Sequence, residues 1–555
     1  MDTDTLLAIR RAPRYVVSLF FGFLLLLGGL VFSDYGVSWD ESAHRANGLV
    51  SFRFVTSLVA PTWTEEQPRL HGVPSISDYP DHDHGVLFEL PLALFDVLRP
   101  GTDERTYYLV RHAAVFLVSL LGTWALFRLA TLRFRDERLG LLAAGLLVLS
   151  PRFFAESFYN GQDLVFVSLF TLGIYTLVRL LARPTWRRAA VHGLVTAAAI
   201  DVRILGLILG PFTLTLLALQ LLSDAGAPAR WVASRAALVY LLTLAAGVVA
   251  GWPYLWEHTF EHLVATFTGF SHYSWGGYIL YMGKIIQGAN LPWHYPLVWM
   301  SVTTPIAYQV AGLLGLGLVA ARLLRHPWVV LRTPAGRFDF LVAGWLGAPV
   351  AMVIVLHSVI YDGWRHLYFV YPALLLLAVQ GVVAVAQLGR RSRAWRPLAV
   401  GLGVLAGAEV LLTAGRMVRM HPHQQTYFSY LPRQQAARLF ERDYWGLSMR
   451  QGLAYLVAHQ PTGPIYLDTP IWLLVNNNKI WLPEADRNRL IAGPDKPGRY
   501  FISFYRTQRT PYPPSAGELV YNLQADGITI LSIFQWKGPG PVPPTPQADP
   551  LSPIW

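Results

Sequence analysis

Long apolar runs alternate with short polar breaks over the first three quarters of the chain. The runs lie near residues 15–33, 108–130, 139–150, 164–182, 189–203, 204–222, 236–252, 297–321, 339–357, 366–388 and 397–414. A helix needs about 20 mostly apolar residues to cross ~30 Å of hydrocarbon, so the pattern predicts about eleven spans. The run 139–150 is short and draws on its flanks. The stretch 189–222 holds two runs parted only near Asp201 and Arg203. As a single helix it would be ~50 Å long, so a sharp turn is predicted there. The first run, Tyr15 to Phe32, is long for a leader-peptide core and lacks an obvious small-residue cleavage site after it, so it reads as a retained span.

The polar breaks are of two kinds. Arg10, Arg11 and Arg14 precede the first span, and Arg128, Arg133, Arg135 and Arg138 follow the second. Arg183, Arg187 and Arg188, then Arg230 and Arg235, Arg322, Arg325, Arg332 and Arg337, and Arg390, Arg391, Arg393 and Arg396 mark every second loop after that. The loops between lack such clusters. Cytoplasmic loops carry the excess of Lys and Arg, which places the N-terminus in the cytoplasm and everything after about residue 415 outside. The first outer loop, 34–107, is acidic, and its apolar pieces 49–60 and 86–98 suit helices lying in the interface. A second outer segment, 253–296, is rich in Trp, Tyr and His, as an aromatic belt would be.

The tail 416–555 loses the long apolar runs. It offers a helical stretch near 445–459, strand-like runs at 464–468, 499–505 and 528–535, and a Pro/Gly-rich end, 538–554. The predicted fold is therefore mostly α: a polytopic helical membrane domain over 1–415 and a small outer α/β soluble domain over 416–555.

Composition agrees. Hydrophobic residues make up 53% of the chain and charged ones 14%, where ordinary globular chains carry about 25% charged residues. Mean hydropathy is +0.37. Lys and Arg outnumber Asp and Glu by 45 to 34, a net charge of +11. Given the arginine-marked loops, this reads as topology, not as a nucleic-acid footprint. The absence of cysteine excludes disulfides, Cys-ligated metals and a thiol nucleophile.

The scarce outer charges are the candidates for chemistry. Asp40-Glu41 follows the first span and suits a general base; capping of a following helix by Ser38 or Asp40 is the competing reading. Asp81, His82, Asp83 and His84 offer carboxylates and imidazoles for a divalent metal, against a solvated turn between Pro80 and Gly85. His84 facing a sugar or phosphate is a third option. Ser150 to Asp163 is a short outer loop whose Arg152, Glu156, Asn160 and Asp163 are costly at membrane depth unless paired or lining a polar cavity. Asp201 and Arg203 suit an ion pair with each other, or Arg203 a lipid phosphate. Lys284, with His272 and His294 among many aromatics, suits phosphate and sugar rings, or simple snorkelling. His357, Tyr361, Asp362, Arg365 and His366 cluster at the last short outer loop, where a phosphate role and an interfacial anchor compete. Together these describe an outward-opening polar cavity for a lipid-borne substrate.

Trp39-Asp-Glu41, Ser150-Pro-Arg-Phe-Phe-Ala-Glu-Ser-Phe-Tyr-Asn-Gly-Gln-Asp163, Trp252-Pro-Tyr-Leu-Trp256, Leu291-Pro-Trp-His-Tyr-Pro-Leu-Val-Trp299 and Asp362-Gly-Trp-Arg-His-Leu-Tyr-Phe-Val-Tyr-Pro372 form an ordered set, joined by His421-Pro-His-Gln-Gln-Thr-Tyr427 and Asp443-Tyr-Trp-Gly446. Over about residues 15–450 the set resembles the GT-C superfamily of polyprenol-phosphate-sugar-dependent glycosyltransferases. Relatives include the protein O-mannosyltransferases, the aminoarabinose transferases of lipid A and a bacterial family 39-like branch. The resemblance implies sugar transfer from a polyprenyl-phosphate-linked donor to a lipid, glycan or protein acceptor, with Asp40 as base. Glu41 would support Asp40 or contact the acceptor, Asp163 would be a second acid, and Arg365 would contact the lipid phosphate. Arg203 and Lys284, which match no motif of the family and are chosen for their charge alone, complete the expected substrate-binding set with His294, His366 and His84. Some relatives use a divalent metal and others none, so Asp81, His82 and Asp83 leave that open. The competing class is a lipid-binding or transport protein, which would place polar groups in broken helices near the midplane.

Overall fold

The computed structural model describes residues 9–536, except 100, 102, 224–226, 272–274, 494, 495 and 497. His272 and the Pro/Gly-rich stretch 538–554 lie outside the described residues. Every predicted apolar run falls on helix, but not every helix is long. Eight helices among the described residues are long and apolar enough to cross a membrane, or nine if the pair Glu137–Val148 and Pro151–Tyr159, bent by 73°, is one span. The expected count of about eleven also included Arg14–Val31 and Trp186–Ile200, which are helical but short, at 18 and 15 residues. The bend follows from sequence: proline is tolerated in a first helical turn and not inside a helix, so Pro151 starts a new one. The run 297–321 divides in the same way, into Tyr295–Thr303 and Ile306–Arg325, with Pro305 between them. The predicted turn at 201–203 is present, since one helix ends at Ile200 and a short 3-10 turn begins at Ile204.

The charged groups sort to the two ends of the helices. At one end Arg133 clasps Asp339 at 2.6 Å, and Arg322 reaches the same carboxylate at 3.3 Å. The chain before the first helix lies there too, with the Arg10 N–H donating to the Arg135 carbonyl at 2.8 Å. These are residues from the arginine-rich loops. Between the ends is a core rich in large aromatics, including Trp299, Trp345, Trp364, Phe153 and Tyr371. Two of its buried indoles are satisfied: Trp345 donates to the Phe369 carbonyl at 2.8 Å and Trp364 to Thr303 Oγ1 at 2.9 Å, while Trp299 Nε1 has no hydrogen-bond partner among the described residues.

At the opposite end the loop 34–107 forms the helices Trp39–Val59 and Glu89–Leu98, packed on each other. The segment 253–296 supplies the helix Thr259–Ser271 and a hairpin of β1 (Tyr278–Tyr281) and β2 (Lys284–Gln287). The C-terminal sheet contains β3 (Ile465–Asp468), β4 (Leu490–Ala492), β5 (Tyr500–Phe504), β6 (Glu518–Ala525) and β7 (Ile528–Gln535) in the order β4-β3-β5-β7-β6. β3 runs parallel to β4 and β5, and β7 antiparallel to β5 and β6. The helix Met449–His459 covers the sheet through Met449, Leu453 and Leu456, which share a core with Ile465, Ile502 and Ile533. The stretch before it is no free linker: Phe428 and Phe440 pack on Trp299 of the helical core.

Candidate active site

The site begins where the helix Trp39–Val59 begins. The Ser38 N–H donates to Glu41 Oε2 at 2.6 Å, which meets an otherwise unpaired donor at the helix start. The other oxygen of Glu41 faces His112 Nε2 at 3.0 Å and Arg111 Nε at 3.6 Å. Glu41 is fully buried, with both oxygens engaged within the fold. The residues just before the helix are gripped from the C-terminal unit. Val37 N–H donates to Asn478 Oδ1, and Asn478 Nδ2 donates back to the Val37 carbonyl, both at 3.0 Å. Asn477 Nδ2 donates to the Ser38 carbonyl at 3.1 Å. The first turn is thereby held from both sides, and Asp40 projects from it toward Arg365.

Arg365 is the hub. Its Nη1 donates to Asp40 Oδ2 at 2.7 Å and lies 3.4 Å from Asp163 Oδ2, while its Nη2 lies 3.3 Å from Asp362 Oδ2. Its guanidinium sits between the rings of Trp445 and Tyr361, at 4.9 and 5.1 Å. The remaining oxygen of Asp163 meets Arg203. Asn160 fixes Asp163: its Oδ1 accepts the Asp163 N–H at 2.8 Å, and its Nδ2 donates to Asp163 Oδ2 at 3.1 Å and to Glu156 Oε2 at 2.8 Å. Asp362 and Gly363 both take positive φ, 56° and 74°, a tight reversal that Asp and Gly tolerate better than other residues. This turn sets Asp362 three residues before Arg365 on the same side.

The electrostatics follow from burial and pairing. Burial pushes the Asp40 carboxyl up, but Arg365, which also hydrogen-bonds it, and Arg506 hold Asp40 below the usual carboxylate range. Burial lowers His44 to about 3, so its imidazole is neutral, and its Nδ1 faces Arg111 Nη2 at 3.4 Å. Glu441 is pushed up to about 8 by burial against the pull of Arg506.

Asp40, Asp163, Arg203 and Arg365, each singled out from sequence, thus form one chain of ion pairs from four separate elements. The other candidates stand apart from it or beside it. His366 lies edge-on to Tyr361, at 4.7 Å between ring centres. His84 pairs with Asp83 at 3.2 Å and, with His44, Asn47, Phe88, Gln162 and Val202, lines a small pocket; Gln162 and Val202 directly precede Asp163 and Arg203 in the chain. Lys284 is exposed on β2, opposite Tyr281, and His294 Nδ1 bonds the Tyr281 hydroxyl at 2.6 Å. Neither is bonded to the network among the described residues. Arg203 does not pair with Asp201. That carboxyl is buried, its Oδ1 has no hydrogen-bond partner among the described residues, and burial raises it to about 8.

The metal set that the sequence leaves open finds no support in the geometry. Among the described residues no group of three or more His, Asp or Glu side chains is arranged to hold a metal ion. The turns of 79–84 fold each imidazole back on the chain, His82 Nδ1 onto the Tyr79 carbonyl and His84 Nδ1 toward the Asp81 carbonyl at 3.3 Å. Asp81, His82 and Asp83 therefore do not converge on one point.

Sequence reasoning missed Arg506, Glu441, His44 and the Asn477-Asn478 grip. The run Asn476-Asn-Asn478 inside a helix was a readable signal, because Asn is a poor helix former and a good partner for backbone groups. Arg506, isolated in a soluble-looking tail, offered none.

Comparison with known proteins matches residues 90–255 to the family described as dolichyl-phosphate-mannose-protein mannosyltransferase. No curated protein sequence matches the chain. Similar solved structures include the apo oligosaccharyltransferase of Archaeoglobus fulgidus, at 11% identity and TM-score 0.46, covering 89% of this chain and 70% of that one. Another is ArnT of Cupriavidus metallidurans bound to undecaprenyl phosphate, at 13% identity and TM-score 0.45, covering 94% and 98%. The archaeal enzyme AglB of A. fulgidus, in complex with an inhibitory peptide and a dolichol-phosphate, matches at 12% identity and TM-score 0.43, covering 88% and 70%. The matched stretch contains Ser150–Asp163 and Arg203, so part of the ion-pair chain lies in the segment similar to that mannosyltransferase family.

Proposed function

We propose that this chain is an integral membrane glycosyltransferase that moves a sugar from a polyprenyl-phosphate-linked donor to an acceptor on the outer face of the membrane. The observation that carries the reading is the Asp40–Arg365–Asp163–Arg203 chain of ion pairs, at the end of the bundle away from the arginine-rich loops. The family match over residues 90–255 supports it. Transfer needs a base for the acceptor and cations for the departing phosphate, and this site has both in contact. Without substrate, Arg365 neutralises Asp40. A donor phosphate is the stronger partner for a guanidinium fork and would draw Arg365, with Arg203, toward itself. Asp40 is then freed to accept the proton of an acceptor hydroxyl or amine. The acceptor atom bonds to the anomeric carbon, the bond from that carbon to the phosphate oxygen breaks, and polyprenyl phosphate leaves with its charge met by the two arginines.

The test is a reconstituted assay with Asp40→Asn. The variant is expected to fold and bind polyprenyl phosphate but to lose transfer by at least ~100-fold, the usual worth of a positioned base. Normal turnover by Asp40→Asn sinks the assignment. Lipid binding by the wild type with no transfer to any lipid, glycan or peptide acceptor would favour a lipid-binding protein instead.

A further inference from the structure

The C-terminal sheet sends one side chain into the ion network. Arg506 follows β5, is 4% exposed, and places its guanidinium near the rings of Trp39 and Trp275, at 5.7 and 5.6 Å. Its Nη2 donates to Asp362 Oδ1 at 2.5 Å, and its Nε reaches Glu441 Oε1 at 3.4 Å. Asp362 is therefore shared between two guanidinium groups, with Oδ1 on Arg506 and Oδ2 on Arg365. Arg365 in turn faces Asp40, Asp163 and Asp362.

We propose that Arg506 is a positioning residue for the donor-phosphate site: it occupies Asp362, so that Arg365 stays available to the phosphate. Without Arg506 the whole charge of Asp362 falls on Arg365, three residues along the same turn, where no diffusing ligand can outcompete it on proximity. A phosphate approaching Arg365 would then meet a carboxylate that has no other cation to pair with. The inference rests on the donor-phosphate reading of Arg365. It adds that the C-terminal unit is part of the membrane site, not an appendage to it. Arg506 need never touch the lipid; its effect passes through Asp362.

The geometry predicts suppression. Affinity for undecaprenyl phosphate is measured on the purified full chain in detergent, together with thermal unfolding. Arg506→Ala should weaken binding by ~10-fold or more, as expected when a buried carboxylate loses its partner. Adding Asp362→Asn to Arg506→Ala should restore affinity to within about 3-fold of wild type, because the acid that needed a second cation is gone. A merely structural role for Arg506 would lower the unfolding temperature without such rescue. If Arg506→Ala does not fold, Arg506→Lys carries the test. It keeps the charge but loses the two-sided fork, and should also bind more weakly unless Asp362→Asn accompanies it. Wild-type affinity in the Arg506 variant, or weak binding that Asp362→Asn fails to relieve, overturns the proposal. Failure of the wild type to bind undecaprenyl phosphate would instead overturn the donor-phosphate reading itself.

Discussion

Replacing Arg365 by alanine tests the hub directly. The side chain is 4% exposed and faces Asp40, Asp163 and Asp362 at 2.7, 3.4 and 3.3 Å. Asp163 retains Arg203 and Asp362 retains Arg506, so Asp40 alone loses its guanidinium altogether. Breaking a buried pair by removing one partner costs ~3–5 kcal/mol. The true cost should fall at or below the low end, because the Asp40 side chain is 23% exposed and water can reach it. For the donor, a hydrogen bond to a charged group is worth roughly 1.5–3 kcal/mol. At about 1.4 kcal/mol per factor of ten, that is a loss of roughly 10- to 100-fold in affinity for a polyprenyl phosphate. Acceptor binding should change far less.

Two measurements on the same preparation separate these effects: thermal unfolding in detergent, and equilibrium binding of undecaprenyl phosphate. Arg365→Lys should fall between wild type and alanine, since an ammonium keeps the charge but cannot serve three carboxylates at once. A folded Arg365→Ala variant with wild-type Kd for the lipid phosphate would refute the reasoning, and so would an equal loss of donor and acceptor affinity.

Asn478→Ala strands the N–H and carbonyl of Val37 and should cost on the order of 3 kcal/mol, read as a lower unfolding temperature. Donor affinity should fall with it, since Val37 fixes the turn that carries Asp40; unchanged stability would contradict the role given to this grip. Asp201, raised on folding from 3.8 to about 8, holds a proton in the folded state that the unfolded chain releases at lower pH. Its contribution to stability is complete below ~3.8 and drains away as pH climbs toward about 8. Wild type should therefore lose thermal stability between about pH 4 and about pH 8 more steeply than Asp201→Asn, and parallel pH curves would exclude a protonated Asp201.

Helices were legible from sequence because apolar periodicity is a local property. Even the break at Asp201–Arg203 could be read, from length alone. The span count was less legible, because the runs 15–33 and 189–203 form helices of only 18 and 15 residues, and Pro305 divides the run 297–321. In the tail, β3, β5 and β7 were expected, while the edge strands β4 and β6 were not. Edge strands face water on one side and carry a weaker apolar signal, as the exposed positions of β6 show. Asp40, Asp163, Arg203 and Arg365 stood out because charges beside apolar runs are rare. What could not be read was pairing: Arg203 chose Asp163 over Asp201, two residues away, and Glu41 turned into the fold beside Asp40. Such choices depend on where helices far apart in sequence bring their ends, and that information is not local. His82 and His84 looked like ligands by type, but their turn directs them to backbone oxygens.

The ion-pair chain also constrains the order in which the protein can be made. Asp40 and Arg365 are 325 positions apart, and Asp362 and Arg506 a further 144. During synthesis the first carboxylate reaches the membrane surface long before its counter-charge has been translated, and the last guanidinium arrives only after every spanning helix. Until then the early acids must be kept in water or keep their protons.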